Sequence, residues 1–292
     1  MQTLQTYRRR MIDNDTTKVW LIVGSSSGFG RTIAEAALAG GDRVAAAARR
    51  TTPLEQLVAS APDRALAVKL DVTNDTQVDA AVTATLERFG RIDVLVNCAG
   101  YGSVGAVEEL LDEDLRALMD TMLFGAVATT KAVLPHMREQ RAGAIVQLSS
   151  MGGQLSPPGF GAYCSAKFAL EAISESLAAE VAPFGIRVLI VEPGAFRTEF
   201  GGTAMRRSPC LDAYTTTVGP TRDAVDDMDG NQPGDPRKAA TAILDLLEAD
   251  DPPLRIAFGD EAVDAIRAKH DQLRSELDAW EHLSRATDFA TM

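Results

Sequence analysis

From residue 18 to about residue 258 the chain alternates short apolar runs, rich in β-branched side chains, with amphipathic segments long enough to be helices. No other feature narrows the fold as much. A strand that is apolar on both faces has to be covered on both, and a helix-length link returns the chain to start the next strand in the same direction. Seven candidate strands lie near Val19 to Val23, Arg43 to Ala48, Ala65 to Leu70, Ile92 to Asn97, Ala144 to Leu148, Arg187 to Val191 and Leu254 to Phe258. With right-handed crossovers they predict one doubly wound α/β domain over residues 18–292, a parallel sheet with helices on both faces.

Three stretches stand apart from the alternation. Residues 1–17 carry no packing pattern and are expected to form a mobile arm. Residues 200–236 lapse into Gly, Pro, Asp and Thr for longer than an ordinary connection requires, and their place after the sixth strand predicts a lid over a substrate site. Residues 261–283 resume a helical pattern, with Val263, Ile266, Leu273, Leu277 and Trp280 near one face, and are expected to form a packing helix.

A formal net charge of −12 opposes encounter with nucleic acid or an anionic lipid surface, so a small-molecule partner is expected. Arg8, Arg9 and Arg10 are not followed by an apolar stretch of signal length, and no later segment reads as a membrane span. The expected location is the cytoplasm, without a membrane partner. Cys98, Cys164 and Cys210 are too few and too scattered for a disulfide framework, and no His/Cys spacing predicts a metal site.

Directly after the first strand come Gly24-Ser25-Ser26-Ser27-Gly28-Phe29-Gly30 and then a helical pattern. Gly24 permits a tight turn, Gly28 lets the backbone approach a pyrophosphate, and Gly30 lets the helix lie close to the sheet. The amides that open the helix would receive the anion. Taken alone, the glycines fit a nucleotide loop or a plain turn before a helix.

Ser150, Tyr163 and Lys167 are more specific. Tyr163 and Lys167 stand four residues apart on a predicted helix and share one face, so both can act on one molecule. An ammonium beside a phenol favours the phenolate and lowers its pKa, which would let Tyr163 exchange protons near neutrality. Asp71-Val72 follows the third strand, Asn97-Cys98-Ala99-Gly100 the fourth, and Pro193-Gly194-Ala195-Phe196-Arg197-Thr198 the sixth. Arg197 and Glu199 could pair at the surface.

In these motifs and their order the chain resembles the classical short-chain dehydrogenase/reductase family over roughly residues 18–200. The resemblance implies a Rossmann-type catalytic domain that passes hydride between a nicotinamide dinucleotide and a carbonyl or secondary alcohol. It implies that Gly24, Ser26, Ser27, Gly28, Phe29 and Gly30 hold the cofactor phosphates and that Asp71 and Val72 hold adenine. Asn97, Ala99, Gly100, Pro193 and Gly194 would border the cofactor, and Thr198 would contact the nicotinamide carboxamide. Ser150 would bond the substrate oxygen, Tyr163 would be the acid/base, and Lys167 would also bond the ribose. The family's oligomers imply a homodimer or homotetramer.

One position departs from the pattern: Met122 stands where the family carries an asparagine that supports a water-linked proton relay, and a thioether cannot replace an amide. That departure motivates an alternative, a catalytically weak cofactor-sensing or interaction protein on the same fold. Arg49, with Arg50 beside it, follows the second strand where an acidic residue would bind the ribose hydroxyls of NAD(H). A guanidinium there suits a 2′-phosphate, so NADP(H) is expected over NAD(H). Met122, Met151, Leu155, Phe160, Phe196, Phe200, Met205, Leu211 and Tyr214 are candidate pocket residues and favour an apolar carbonyl or alcohol substrate.

Overall fold

In the computed structural model, which describes residues 17–289, every residue of the first strand is buried. Successive side chains of β1 (Val19–Val23) point to opposite faces: Trp20 and Ile22 enter one apolar core, Val19, Leu21 and Val23 the other. Each such side chain contributes about 1.5–3 kcal/mol when fully buried. This is why the strand reads as an unbroken apolar run. The chain continues through α1 (Gly28–Ala39), β2 (Arg43–Ala48), α2 (Thr52–Ser60), β3 (Ala65–Lys69), α3 (Asp75–Phe89), β4 (Val94–Asn97) and a short β5 (Gly102–Val104). Next come α4 (Asp112–Met119), a π turn (Asp120–Phe124), α5 (Gly125–Gln140), β6 (Gly143–Leu148), α6 (Gly161–Val181) and β7 (Ile186–Pro193). A short β8 (Met205–Arg207), α7 (Gly219–Met228), α8 (Pro236–Glu248), β9 (Arg255–Phe258) and α9 (Asp260–Arg285) complete it.

Seven strands form one parallel sheet in the order β3-β2-β1-β4-β6-β7-β9. Residues of α1, α2 and α8 fill the core on one face, and residues of α3, α5 and α6 fill it on the other. The winding reverses between β1 and β4, where Val23 is in register with Asn97. That crevice, at the carboxyl ends of the strands, is where such sheets bind ligands.

Three sequence expectations change, and a fourth falls outside the described residues. All but Thr17 of the expected N-terminal arm lies outside the described residues. The segment from Asp112 to Gln140 runs as one continuous helix and includes a window with a mean hydropathy of 1.3, enough by length and composition for a membrane span, although none was expected. Composition does not separate a span from a core helix, and this one lays Val133 and Met137 against the sheet. Residues 200–236 are not irregular, because β8 pairs in parallel with β5 and α7 follows. The pairing joins segments about a hundred residues apart, which no local pattern reveals. Finally, α9 packs little within the chain: only Ala262 is buried, while Leu273, Leu277 and Trp280 are 47%, 64% and 61% exposed. The helix starts on the edge strand β9 and leaves the sheet behind.

Candidate active site

At the end of β1 the backbone turns at Gly24, whose φ of +85° is a left-handed value that favours glycine. A Cβ there would also lie 2.7 Å from the Ala99 amide nitrogen, so this glycine lets the two loops at the crevice touch. Gly30 serves a different contact. A Cβ on it would come within 2.8 Å of the Gly24 carbonyl carbon, so its absence lets α1 sit directly on the turn. Ser27 occupies the N-cap position in an extended conformation, but its side chain does not cap the helix. The first-turn amides of α1 therefore face the crevice without a capping side chain, a donor set that fits a phosphate. Ser26, Ser27, Gly28 and Phe29 remain partly exposed around it, whereas Ser25 is buried and its hydroxyl donates to the Ala47 carbonyl.

Arg49 and Arg50 are exposed just past β2. Burial pushes the Asp71 carboxyl up, but hydrogen bonds from the Thr73 amide and hydroxyl and the nearby Arg49 charge outweigh it and hold the pKa below its ordinary value. Asp71 stays ionised beside Arg49. Val72 is buried against Gly125, where a Cβ would lie 2.5 Å from Val72 Cγ2.

Asn97 lies in register at the crevice, yet its side chain turns into the protein. Its amide donates to Gln147 Oε1 at 3.1 Å and to the Ala126 carbonyl, and its oxygen accepts from Thr129 at 2.7 Å. The side chain is thus spent tying β4 to β6 and α5, and only the backbone of Asn97, Ala99 and Gly100 borders the crevice.

The three chemical residues converge. Ser150 follows β6; its hydroxyl accepts from the Gly152 amide at 3.0 Å and donates to the Pro193 carbonyl at 3.5 Å, and it lies near enough to the Tyr163 phenol to favour the phenolate. Lys167, one turn after Tyr163 on α6, donates from Nζ to the Leu148 carbonyl at 2.7 Å, with Nζ 5.7 Å from the Tyr163 ring centroid. The expectation of a lowered phenol pKa is not met. Burial pushes the Tyr163 phenol up, and the neighbouring Ser150 hydroxyl offsets only part of the shift. Burial also brings Lys167 down to about 8, opposed by Cys98 and Glu171, and pushes the Cys98 thiol up to about 12. Met122 is buried in the π turn, with its sulfur against Gly100.

These groups open on a cavity of about 470 Å³. Phe29, Pro193, Gly194 and Thr198 line its cofactor side, and Leu155, Phe160, Phe200, Met205, Val225 and Met228 line the other. Met122, Met151 and Phe196 also reach it, but Leu211 and Tyr214 do not: Leu211 is 43% exposed, and the Tyr214 hydroxyl donates to Glu108 at the surface. Arg197 does not pair with Glu199; it donates to the Gln232 carbonyl. Two features carry no local sequence signal. Gln232 enters the cavity wall from the 200–236 segment. Behind the Ser150 loop, Glu171 accepts from Ser149 at 2.5 Å and from Gln154, and it raises the pKa of its buried neighbour Glu192.

Fold and site together define a nucleotide-dependent oxidoreductase. The chain matches the short chain dehydrogenase model over residues 18–208 and belongs to that family. It is 42% identical to an oxidoreductase, BOA17, of Botryotinia fuckeliana, over 93% of this chain and 99% of that protein. A short-chain dehydrogenase from Streptomyces avermitilis has a similar structure, with 53% identity, a TM-score of 0.90, and coverage of 94% of this chain and 100% of the other. An alcohol dehydrogenase from Thermococcus sibiricus, solved with 5-hydroxy-NADP, is 27% identical with a TM-score of 0.69 over 83% of this chain and 96% of its own.

Proposed function

We propose that the protein interconverts a carbonyl and a secondary alcohol on a largely apolar substrate, with NADP(H) as the preferred cofactor and Tyr163 as the acid/base. The convergence of Ser150, Tyr163 and Lys167 on an apolar cavity that opens into the phosphate-loop crevice carries this reading. The bound cofactor supplies or accepts the hydride. Ser150 Oγ holds the substrate oxygen, and Tyr163 Oη delivers the proton to it in reduction or removes it in oxidation. The buried phenol keeps its proton at neutral pH in the free protein, the form that delivers it to a carbonyl oxygen. Lys167, anchored by Leu148, orients the cofactor ribose beside them. Phe160 and Phe200 stand edge-on to the Tyr163 ring at 6.2 and 5.2 Å and exclude water from it.

Replacing Tyr163 by Phe keeps the ring and removes the proton. Turnover of a responsive ketone should fall by about a hundredfold or more while cofactor affinity is retained; unchanged turnover would refute the assignment. The second reading, a cofactor sensor with weak chemistry, draws on Met122, whose buried thioether offers no amide for a relay. Robust turnover in a broad carbonyl screen followed by nicotinamide absorbance removes it. Self-association into a dimer or tetramer is supported by the exposed apolar stripe on α9, and light scattering tests it.

A further inference from the structure

The cavity wall beyond Phe200 holds a polar group that the proposed chemistry does not use. Gln232 is only 3% exposed, and its side-chain oxygen has no hydrogen-bond partner among the described residues. Its backbone is held from several sides. The carbonyl accepts from Arg197 Nε and Nη2 at 3.2 and 3.1 Å, and Gly234, two residues on, bridges to Phe196 while its amide donates to the Ala195 carbonyl at 3.1 Å. These bonds fix the backbone from which the amide projects and stitch the 200–236 segment to the end of β7.

Residue 201 lies against the amide. A Cβ on Gly201 would stand 3.3 Å from Gln232 Nε2 and 3.6 Å from Asp229 Oδ1. Phe200, next in the chain, places its ring 5.2 Å from that of Tyr163 and lines the same cavity as Gln232. Phe160, Met205, Val225 and Met228 line it too. A carbonyl oxygen buried without a partner is unfavourable until something bonds it.

Building on the oxidoreductase reading, we propose that Gln232 selects substrates in which an apolar body separates the reacting carbonyl from a remote hydroxyl or amide, which bonds the Gln232 side chain. The class is amphipathic: a carbonyl at one end, hydrocarbon between, a hydrogen-bonding group beyond. An all-hydrocarbon ketone would leave the amide unpaired and bind less well.

Matched pairs of aliphatic methyl ketones of increasing chain length, with and without a hydroxyl on the far carbon, test this. The wild type should favour the hydroxylated member at one or more lengths by about tenfold in kcat/KM. Gln232→Met should abolish that preference, lowering kcat/KM for the hydroxylated ketone and raising it for the plain one, while leaving the cofactor Kd within about twofold, as for a group that contacts substrate alone. Because the wild-type preference is read without any variant, a folding defect in Gln232→Met does not remove the test. No preference at any length, a preference that survives Gln232→Met, or a shifted cofactor Kd overturns the proposal and leaves the oxidoreductase reading standing. Absence of turnover with every ketone and both cofactors overturns the two together.

Discussion

The cofactor side and the substrate side of the cavity are built by different means. On the cofactor side, backbone meets backbone: the Gly24 turn lies against Ala99, and α1 lies against the Gly24 turn through Gly30, with no side chain between. On the substrate side, the 200–236 segment is held by side chains reaching across the fold. Arg222 pairs with the buried Glu109 at 2.7 Å, and the other Glu109 oxygen accepts from the Leu211 amide at 2.7 Å. A contact without side chains tolerates no addition, whereas a wall pinned by individual side chains can loosen by itself. The second design is also the one that changes easily with substrate.

The sharpest break of this contrast is Gly30→Ala. Its Cβ would meet the Gly24 backbone, which has nowhere to move, so a loss of about 3 kcal/mol or more in stability, together with loss of cofactor binding, is expected from chemical denaturation and titration. Retained affinity would mean that the loop is more yielding than its packing indicates. Arg222→Met should come next. Leaving Glu109 buried without its cation is expected to cost about 2–3 kcal/mol, partly offset by the two amides that still bond it. The loss should appear as faster amide exchange and proteolysis across residues 200–236, with cofactor Kd unchanged; uniform destabilisation would show that the two sides are not separable.

Arg49→Ala should have a smaller effect, confined to the cofactor side: about a tenfold loss in NADP(H) affinity with little change for NAD(H), measured at one ionic strength. An unchanged affinity ratio removes Arg49 from cofactor choice. A pH dependence is expected at the junction of the two sides. Burial lowers the Lys167 pKa from 10.5 to about 8, so between those values the unfolded chain holds a proton that the folded one has released. The cost of burying the ammonium is thus present below about pH 8 and is relieved as pH rises toward 10.5. Wild-type stability should gain on that of Lys167→Met across this window, and parallel curves would show that Lys167 is not desolvated.

The seven strands were legible because each runs apolar between helical segments, and their boundaries shifted by at most two residues, as where β7 runs from Ile186 to Pro193. Ser150, Tyr163 and Lys167 were legible because helical spacing alone puts two of them on one face. The β5–β8 pair, the Glu109–Arg222 bridge and the Glu171–Glu192 pair were not, since their members are distant in the chain and carry no shared period.

By itself, the sequence determined the layered parallel sheet, the reversal that opens the crevice, and the residue types gathered at its rim, because periodicity and spacing act through the backbone geometry of neighbouring residues. Tertiary structure decided the rest. It turned the Asn97 amide inward to Thr129 and Gln147, aimed Lys167 at Leu148, buried the Tyr163 phenol so that its pKa rises, and left the Gln232 side-chain oxygen without a partner. Which partner a polar side chain finds, and how much water it keeps, depends on segments brought together only by packing, and no local pattern records that.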